Sequence, residues 1–418
     1  MYLKLRYNKK NYYNNNIVRI NVCGSKSETN RLLIIKKLFN HVILYNVSNS
    51  NDTKLMLLSL KTKKKKINVQ DAGTVMRFLV SYFSIQKNRK VILTGSYRMR
   101  KRPIYHLVKA LKEIGCDIKF LKKIGYPPIK IIGKKIYNNK IKIKSNISSQ
   151  YITSLILIGP KLKNGLKIKL LNDKISFSYI NMTINILRKI KFKIKRKGNY
   201  IYIEKFKYKK KKKIKYYIES DWSSASYFYS IISIIDKKKI LLTKYKKKSY
   251  QGDSIISYIY DKYFGVKTIF KKKGIIIIKK KRKFKYPKYL KLDLKSTPDI
   301  AQTIIVTCSI LKIKCLLTGL NTLKIKETDR LIALKNELNK IGTITTITEN
   351  TIEIIDFKNI NYKNIIINTY KDHRMAMSFS ALAIKNKILI ENPKTVNKSY
   401  PKFWYDLKKI GFNFKKIK

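Results

Sequence analysis

The stretch GSKSETNR, residues 24–31, runs directly into the apolar residues 32–35 and 38–39. Small hydroxyl residues before an apolar run with near-helical spacing predict a helix start. Free backbone N–H groups and the positive end of the helix dipole gather at such a start, so an anion is favoured there. Lys26 and Arg31 add positive charge to the same end. The segment therefore predicts an anion-binding helix N-terminus.

Polar helix starts of this kind recur along the chain. Short strand-like segments alternate with helical ones, which is typical of an α/β or mixed architecture. We predict starts near residues 27, 73, 149, 222, 298 and 328, and one more after residues 370–374. Several carry Lys or Arg, whose charge opposes the helix dipole, and ordinary caps rarely bring cations there. Cations at these starts indicate a partner with several negative charges.

The composition is dominated by positive charge. The chain has 418 residues, a formal net charge of +73, and 96 basic residues of which only thirteen are Arg. The surplus of Lys, Ile, Asn and Tyr is what a strongly A+T-rich gene would produce. We therefore interpret the excess Lys as a solvated surface, although charge alone leaves a basic nucleic-acid-binding protein as an alternative. Because Lys fills most of the basic positions, each remaining Arg indicates a specific role. The guanidinium binds carboxylate or phosphate at two points, which Lys cannot do.

Cysteine and histidine usage argues against a metal site. The four Cys form no CxxC pair, and the chain has three His, so the spacing of metal ligands is absent. Buried, reduced thiols are the expected state. The N-terminus has no apolar targeting segment, and no run of eighteen apolar residues occurs. We expect a soluble, cytoplasmic protein with no membrane or nucleic-acid partner.

The polar clusters together resemble the 5-enolpyruvylshikimate-3-phosphate synthase family. The most specific signal is the pair KETDR and DHRMAM in the second half of the chain, together with SKSETNR (25–31) and AGTVMR (72–77) in the first half. The matching segments follow one order across nearly the whole chain: GSKSETNR (24–31), DAGTVMRFL (71–79), LTGSYRMRKRPIYHLVKAL (93–111), GYPP (125–128), SSQYITSL (148–155), SDWSSASYF (220–228), TPDIAQT (297–303), KETDR (326–330), DHRMAM (372–377) and KSYP (398–401).

The resemblance implies an α/β (mixed α+β) fold. In this family two domains form a clamshell, an inside-out α/β barrel of six βαβαββ units with helix N-termini aimed at the cleft. Carried onto this sequence, the first domain spans residues 20–217, and the second spans residues 1–19 and 218–418. The chain is expected to cross between the domains at hinges near residues 17–20 and 217–220.

The resemblance also implies an activity. The family transfers the enolpyruvyl group of phosphoenolpyruvate to the 5-hydroxyl of shikimate 3-phosphate by addition and elimination, and releases phosphate, in the shikimate pathway of aromatic amino-acid biosynthesis. It implies no cofactor and no metal. The two anionic substrates are then the expected partners, and we expect a monomer.

Site residues follow by position in the matching motifs. The resemblance implies that Asp299 accepts the proton of the attacking hydroxyl, and that Glu327 or Lys26 protonates the methylene carbon. The implied contacts of shikimate 3-phosphate are Lys26, Ser27, Arg31, Ser148, Ser149, Gln150, Ser176, Tyr179, Asp299 and Lys326. The implied contacts of phosphoenolpyruvate are Lys26, Gly73, Arg102, Gln150, Arg330, Arg374 and Lys398.

The chain departs from the family pattern at a few positions. Asp71 stands where the family usually has Asn, sometimes His. Since Asp caps a helix as well as Asn does, we expect the local backbone to be preserved with Asp71 as a cap. Its negative charge should weaken phosphoenolpyruvate binding and bears on the response to the competing herbicide glyphosate. Phe78 replaces the family's Pro, and residues 176–179 lack its Lys/Arg-Pro.

Two further alternatives remain at the level of the sequence. The UDP-N-acetylglucosamine enolpyruvyl transferases share the fold, but they typically carry a Lys-Asn pair near the N-terminus and a reactive loop Cys. This chain has Lys26-Ser27 and no Cys in residues 98–102. A decayed enzyme that keeps only the scaffold is disfavoured, since every expected acid and cation is present.

Overall fold

The computed structural model describes residues 1–8, 17–144, 148–171, 177–207, 213–235, 239–280, 284–359 and 365–417. Within them the α-helices are α1 (Lys26–Phe39), α2 (Asn51–Lys61), α3 (Gly73–Ser84), α4 (Tyr97–Arg100), α5 (Tyr105–Glu113), α6 (Ser149–Ile158), α7 (Ser178–Lys189), α8 (Trp222–Ile234), α9 (Ile256–Tyr263), α10 (Ala301–Leu311), α11 (Arg330–Asn339), α12 (His373–Phe379) and α13 (Phe403–Lys409).

The strands are β1 (Tyr2–Tyr7), β2 (Val18–Ile20), β3 (Val42–Tyr45), β4 (Lys66–Asn68), β5 (Lys90–Thr94), β6 (Asp117–Phe120), β7 (Ile129–Ile132), β8 (Lys140–Lys144), β9 (Leu166–Leu171), β10 (Ile194–Lys197), β11 (Tyr200–Ile203), β12 (Ile214–Tyr217), β13 (Lys239–Thr243), β14 (Val266–Lys271), β15 (Gly274–Lys279), β16 (Tyr289–Asp293), β17 (Lys314–Thr318), β18 (Thr343–Ile347), β19 (Ile352–Phe357), β20 (Ile365–Ile367), β21 (Ile388–Glu391) and β22 (Phe412–Ile417).

The chain divides into two compact units. One is the continuous segment Gly24–Ile218, and the other combines Met1–Cys23 with Glu219–Lys418. We call them the continuous unit and the split unit. The domain limits at 20–217 and the hinge role of residues 17–20 and 217–220 remain predictions.

The continuous unit contains three of the described sheets. Their strand orders are β4-β5-β7-β6, β10-β11-β9-β8 and β12-β3. Strands β4 and β5 are parallel, as are β8 and β9, while the remaining neighbours in the two larger sheets are antiparallel. Helix α6 packs against α3 and α7. Its central sequence YITSLILI is apolar on nearly every side, and such a helix belongs in a core.

The split unit contains three four-stranded sheets in the described part of the chain. Their strand orders are β20-β21-β1-β22, β14-β15-β13-β2 and β16-β17-β19-β18. Strand β1 pairs antiparallel with both β21 and β22, so the first residues lie between two of the last strands. Helices α8, α10 and α12 pack against one another, and almost all their residues are buried.

The helix starts agree closely with the sequence-based expectations. Helices α1, α3, α6 and α8 begin at residues 26, 73, 149 and 222, within one residue of the predicted positions. Helix α11 begins two residues later than predicted, because Asp329 is its N-cap. Near residue 298 a 3₁₀ turn, Pro298–Ile300, precedes α10. These starts place the polar motifs at helix N-termini, as expected.

One local expectation is wrong. Asp71 does not cap α3: the N-cap position belongs to Ala72, which makes no side-chain capping bond. The Asp71 carboxylate instead accepts a hydrogen bond from the hydroxyl of Ser96. The same Ser96 oxygen accepts the backbone N–H of Met99 and so caps α4. The Asp71 carboxylate therefore binds Ser96, the residue that caps helix α4.

Among the residues that the structure describes, none belongs to a helix with the length and apolarity needed to cross a membrane.

Candidate active site

A buried arginine, Arg330, organises the polar cluster of the split unit. It is the first residue of α11 and 1% exposed. Its Nε donates to Oδ2 of Asp372 at 2.7 Å, its Nη1 to Oδ1 of Asp299 at 3.1 Å, and its Nη2 to Oε2 of Glu327 at 3.0 Å. Burial alone would lower the pKa of Arg330, but these three carboxylates raise it above its usual range. The guanidinium therefore stays charged and fixes three acids around one point.

Arg374 approaches the same carboxylate from a second helix. It lies in the first turn of α12, whose N-cap Asp372 accepts the Arg374 backbone N–H at 2.7 Å. Its Nη2 lies 3.1 Å from Oδ2 of Asp299, and its Nη1 donates to the Asp299 carbonyl at 2.9 Å. Since Arg330 binds the other oxygen of Asp299, the carboxylate is held between two guanidinium groups.

Two lysines complete this cluster. Lys326 Nζ lies 3.6 Å from Oδ1 of Asp299. Lys398, at the end of the 3₁₀ turn Pro393–Lys398, places Nζ 3.4 Å from Oε1 of Glu327. All four side chains of these pairs are between 11% and 21% exposed, so the cluster is largely shielded from water.

The charge state of Asp299 follows from its neighbours. Burial on its own would raise the pKa of this carboxyl. The positive charges of Arg374, Lys326 and Arg330 outweigh burial and hold the pKa of Asp299 well below its usual range. Asp299 is therefore ionised and is able to accept a proton from a group placed against it.

A second buried acid, Asp253, is linked to Arg374 through the hydroxyl of Ser223. It was not predicted from the sequence. The hydroxyl of Ser223 donates to Oδ2 of Asp253, and Arg374 Nη2 donates to the same Ser223 oxygen at 3.3 Å. Burial, together with the negative charge of Asp299, raises the pKa of Asp253 to about 7. The sequence signal that could have found it is QGD at residues 251–253, a polar turn ahead of a short helix.

The raised pKa of Asp253 predicts a specific pH dependence of stability. An unfolded Asp titrates near pH 4, whereas Asp253 in the fold titrates at about 7. Between those values the folded state binds one more proton, so this group lowers the free energy of unfolding as pH rises. Asp253→Asn removes the effect. We expect the stability of the variant relative to the parent to increase between about pH 5 and pH 8 in urea unfolding.

The control for this prediction is Glu349→Gln, which removes a carboxylate whose side chain is 90% exposed. Its stability relative to the parent should stay nearly constant over the same pH range. A constant difference for Asp253→Asn as well would contradict the raised pKa.

In the continuous unit, Lys26 occupies the first position of α1. The Ser25 hydroxyl caps this helix by accepting the Glu28 backbone N–H. Lys26 Nζ lies 3.1 Å from Oδ2 of Asp52, whose side chain is 6% exposed, while the Lys26 side chain is 18% exposed. The ammonium group is thus tethered at a helix start, and Asp52 is a partner that the sequence did not reveal.

One turn further along α1, Arg31 is buried at 3% exposure. Its Nε donates to the hydroxyl of Thr183 at 2.8 Å, and its Nη1 donates to the carbonyl of Ser27 at 2.8 Å. The guanidinium also lies 6.0 Å from the ring centre of Tyr179. Burial lowers the pKa of Arg31 to about 10, so it remains a cation at neutral pH.

Gly73 begins α3 beside two further guanidinium groups. A Cβ atom at this position would lie 2.5 Å from Nη1 of Arg102 and 2.7 Å from Nη1 of Arg77, so a side chain would displace them. Arg102 is 8% exposed, and its Nε has no hydrogen-bond partner among the described residues. A buried guanidinium with an unused Nε–H donor next to a helix N-terminus is suited to an anion.

The start of α6 lies next to that of α3. The Ser148 hydroxyl caps α6 by accepting the Gln150 backbone N–H at 3.3 Å, and Ser149 is the first helical residue. Gln150 Nε2 donates to the hydroxyl of Thr74, the second residue of α3, at 3.3 Å. Two helix N-termini with hydroxyl and amide groups therefore come together within this unit.

The structure brings the sequence-predicted residues into local groups. One group, in the split unit, contains Asp299, Lys326, Glu327, Arg330, Arg374 and Lys398. The others, in the continuous unit, lie at or near the starts of α1, α3, α6 and α7 and contain Lys26, Ser27, Arg31, Gly73, Arg102, Ser148, Ser149, Gln150 and Tyr179. Ser176 lies outside the described residues.

Two solved structures share the fold. EPSP synthase from Acinetobacter baumannii matches with a TM-score of 0.75, covering 99% of this chain and 100% of that chain at 19% sequence identity. The enolpyruvyl transferase NikO from Streptomyces tendae matches with a TM-score of 0.70, covering 99% and 98% at 11% identity. The predicted fold class is confirmed: this is an enolpyruvyl transferase fold.

Sequence comparisons are more specific. A family model described as EPSP synthase (3-phosphoshikimate 1-carboxyvinyltransferase) matches residues 58–407. A 3-phosphoshikimate 1-carboxyvinyltransferase from Bacteroides fragilis (strain YCH46) is 39% identical over 399 residues, 95% of this chain and 96% of the relative. One from Buchnera aphidicola subsp. Cinara cedri is 36% identical, covering 92% and 93%. The chain belongs to the EPSP synthase family, as the motifs predicted.

Proposed function

We propose that this chain is a 3-phosphoshikimate 1-carboxyvinyltransferase. It transfers the enolpyruvyl group of phosphoenolpyruvate to the 5-hydroxyl of shikimate 3-phosphate and releases phosphate. Family membership supports the reaction. The observation that carries the residue roles is the placement of an ionised Asp299 against Arg374, Arg330 and Lys326.

Shikimate 3-phosphate is assigned to the residues that the motifs predicted. Arg31, buried and still cationic, and the hydroxyl-rich starts of α1 and α6 supply donors for a phosphate and for ring hydroxyls. Asp299 and Lys326 belong to the same proposed set. The full assignment is Lys26, Ser27, Arg31, Ser148, Ser149, Gln150, Ser176, Tyr179, Asp299 and Lys326.

Phosphoenolpyruvate needs cations for both a phosphate and a carboxylate. Arg330 and Arg374 lie at two helix starts, and the Nε–H of Arg102, whose guanidinium lies beside Gly73, has no hydrogen-bond partner among the described residues. Planar guanidinium groups bind either anion at two points. The proposed contacts are Lys26, Gly73, Arg102, Gln150, Arg330, Arg374 and Lys398.

The proposed chemistry is addition followed by elimination. In the addition step, Asp299 accepts the proton of the 5-hydroxyl, the hydroxyl oxygen bonds to C2 of phosphoenolpyruvate, and Glu327 or Lys26 delivers a proton to C3. In the elimination step, the C3 proton returns to its donor while the bond between C2 and the phosphate oxygen breaks. Phosphate leaves with the proton that Asp299 had accepted, so both proton-transfer groups return to their starting state, and the enol ether remains.

Substrate binding and basicity are coupled in this proposal. Arg374 and Arg330 hold the pKa of Asp299 low. An anionic substrate that binds these guanidinium groups competes with Asp299 for them, and its charge opposes ionisation of the acid. Binding therefore raises the pKa of Asp299 and strengthens it as a base. The steps are proton transfers and the making and breaking of C–O bonds, with no net change of oxidation state, so the proposal includes no cofactor. We further propose that the enzyme acts as a cytoplasmic monomer.

The direct test is phosphate release by the purified protein given both substrates. We expect release to require shikimate 3-phosphate as well as phosphoenolpyruvate, and UDP-N-acetylglucosamine not to replace the former. Lys26→Met should lower kcat/KM about a hundredfold or more, because it removes a positive charge held at a helix start, where the proposal places both anionic substrates. The readout is steady-state phosphate production.

Lys54→Met is the matched control, since Lys54 is exposed on α2, the same helix as Asp52. It should retain the activity of the parent. Equal activity of the Lys26→Met variant would remove Lys26 from the mechanism, and no release with both substrates would reject the proposed function.

A further inference from the structure

A turn of unusual backbone conformation precedes α12. Tyr370 and Lys371 both have positive φ, 53° and 57°, in the left-handed region. Side chains other than glycine seldom adopt this conformation, and two in succession persist only when their surroundings hold them. The turn leads directly into Asp372 and Arg374, the residues that meet Arg330 and Asp299. Whatever holds the turn also positions this part of the site.

The buried acid Glu337 holds the turn from α11. Its side chain is fully buried, with 0% exposure. Its Oε1 accepts the hydroxyl of Tyr370 at 2.7 Å, and its Oε2 accepts the backbone N–H of Asn368 at 3.0 Å. Lys340 Nζ, at 2.7 Å from Oε2, balances the charge. One carboxylate thus binds the turn through both a side chain and the backbone.

Arg330 and Glu337 lie on the same face of α11. Seven residues are about two helical turns, so their side chains point in nearly the same direction. Arg330 binds Asp372 at one end of the turn, and Glu337 binds Asn368 and Tyr370 at the other. A rigid helix therefore grips residues 368–372 at two points.

We infer that Glu337 is a positioning residue for the phosphoenolpyruvate site: through Tyr370 it fixes the turn that aims Asp372 at Arg330 and Arg374 at Asp299. This inference rests on the proposed function for its substrate assignment. It concerns a residue outside the family motifs described above, and the hydrogen-bond partners of the Glu337 carboxylate among the described residues are Lys340, Asn368 and Tyr370.

Two variants test the inference. Tyr370→Phe deletes only the hydroxyl that Glu337 accepts, and Glu337→Gln keeps the shape but removes the charge. We expect each to raise the KM for phosphoenolpyruvate about five- to tenfold, with the KM for shikimate 3-phosphate changed by less than about twofold. The effect of the double variant should be smaller than the sum of the two single effects, because both variants weaken the same contact between Tyr370 and Glu337.

The matched control is Tyr260→Phe, which deletes a tyrosine hydroxyl elsewhere in the same unit, one that contacts Thr307 at 2.7 Å. It should lower the Tm without changing either KM. A purely structural role for Glu337 predicts the same behaviour for Tyr370→Phe, so an unchanged KM for phosphoenolpyruvate, or an equal rise for both substrates, overturns the inference. If Glu337→Gln does not fold, Tyr370→Phe decides alone.

A second measurement separates this inference from the proposed function. Amide hydrogen exchange at residues 368–374 should be faster in Tyr370→Phe than in the parent, and unchanged in Tyr260→Phe. If the parent shows no turnover, the proposed function fails, but faster exchange in Tyr370→Phe still supports the role of Glu337 in holding the turn. Unchanged exchange in Tyr370→Phe overturns that role whether or not the protein is active.

Discussion

Asp299→Asn is expected to lower kcat about a thousandfold, within the range that general-base catalysis contributes. Asn keeps the size of the side chain but cannot accept the hydroxyl proton. The fold should survive, because Arg330 keeps its contacts with Glu327 and Asp372. The measurement is phosphate release in steady state and in a single turnover, with circular dichroism as the check on folding.

The control for Asp299→Asn is Asp293→Asn, the same change at an exposed position at the end of β16. It should leave kcat unchanged. Shikimate 3-phosphate should still bind the Asp299→Asn variant, because most of its proposed contacts lie elsewhere. A kcat within about tenfold of the parent would exclude Asp299 as the proton acceptor.

Arg330→Met is expected to produce the largest loss of stability. It leaves Asp299, Glu327 and Asp372 without their shared cation, and Asp372 is fully buried. Removing one partner from a buried ion pair costs about 3–5 kcal/mol, because the remaining charge is uncompensated. We expect a decrease of this size in the free energy of unfolding of the split unit, measured in urea, together with loss of activity.

Arg6→Met serves as the matched control for stability, since Arg6 is exposed on β1 of the same unit. A change at such a position should stay within about 0.5 kcal/mol. The loss of stability in Arg330→Lys should lie between those of Arg330→Met and Arg6→Met, because Lys restores the charge but not the planar guanidinium. If Arg330→Met and the parent unfold with the same urea midpoint, this guanidinium does not stabilise the three acids.

The features that the sequence predicted correctly are local. Helix starts are encoded within a few residues: the Ser25 hydroxyl caps the N–H of Glu28, three positions along. The resemblance selected the six residues from Asp299 to Lys398 that the structure brings together in the split unit, although their roles remain proposals. The fold class, which is not local, followed from the family resemblance that the motifs carry.

The features that the sequence did not predict depend on distant pairs. Asp52 lies 26 positions from Lys26, and Asp253 lies 30 from Ser223. No local pattern states which acid meets which cation. The error at Asp71 has the same origin, because a local rule favoured a cap, while Ser96, 25 positions away, takes the carboxylate.

The place of β1 between β21 and β22 sets an order for synthesis on the ribosome. Tyr2 pairs with Ile417, so β1 is synthesised long before the strand that completes its sheet. The segment Gly24–Ile218 is uninterrupted and has no such delay. During translation, it can acquire its core while the split unit still lacks strands, and β1 obtains both of its neighbours only after β21 and β22 have been synthesised.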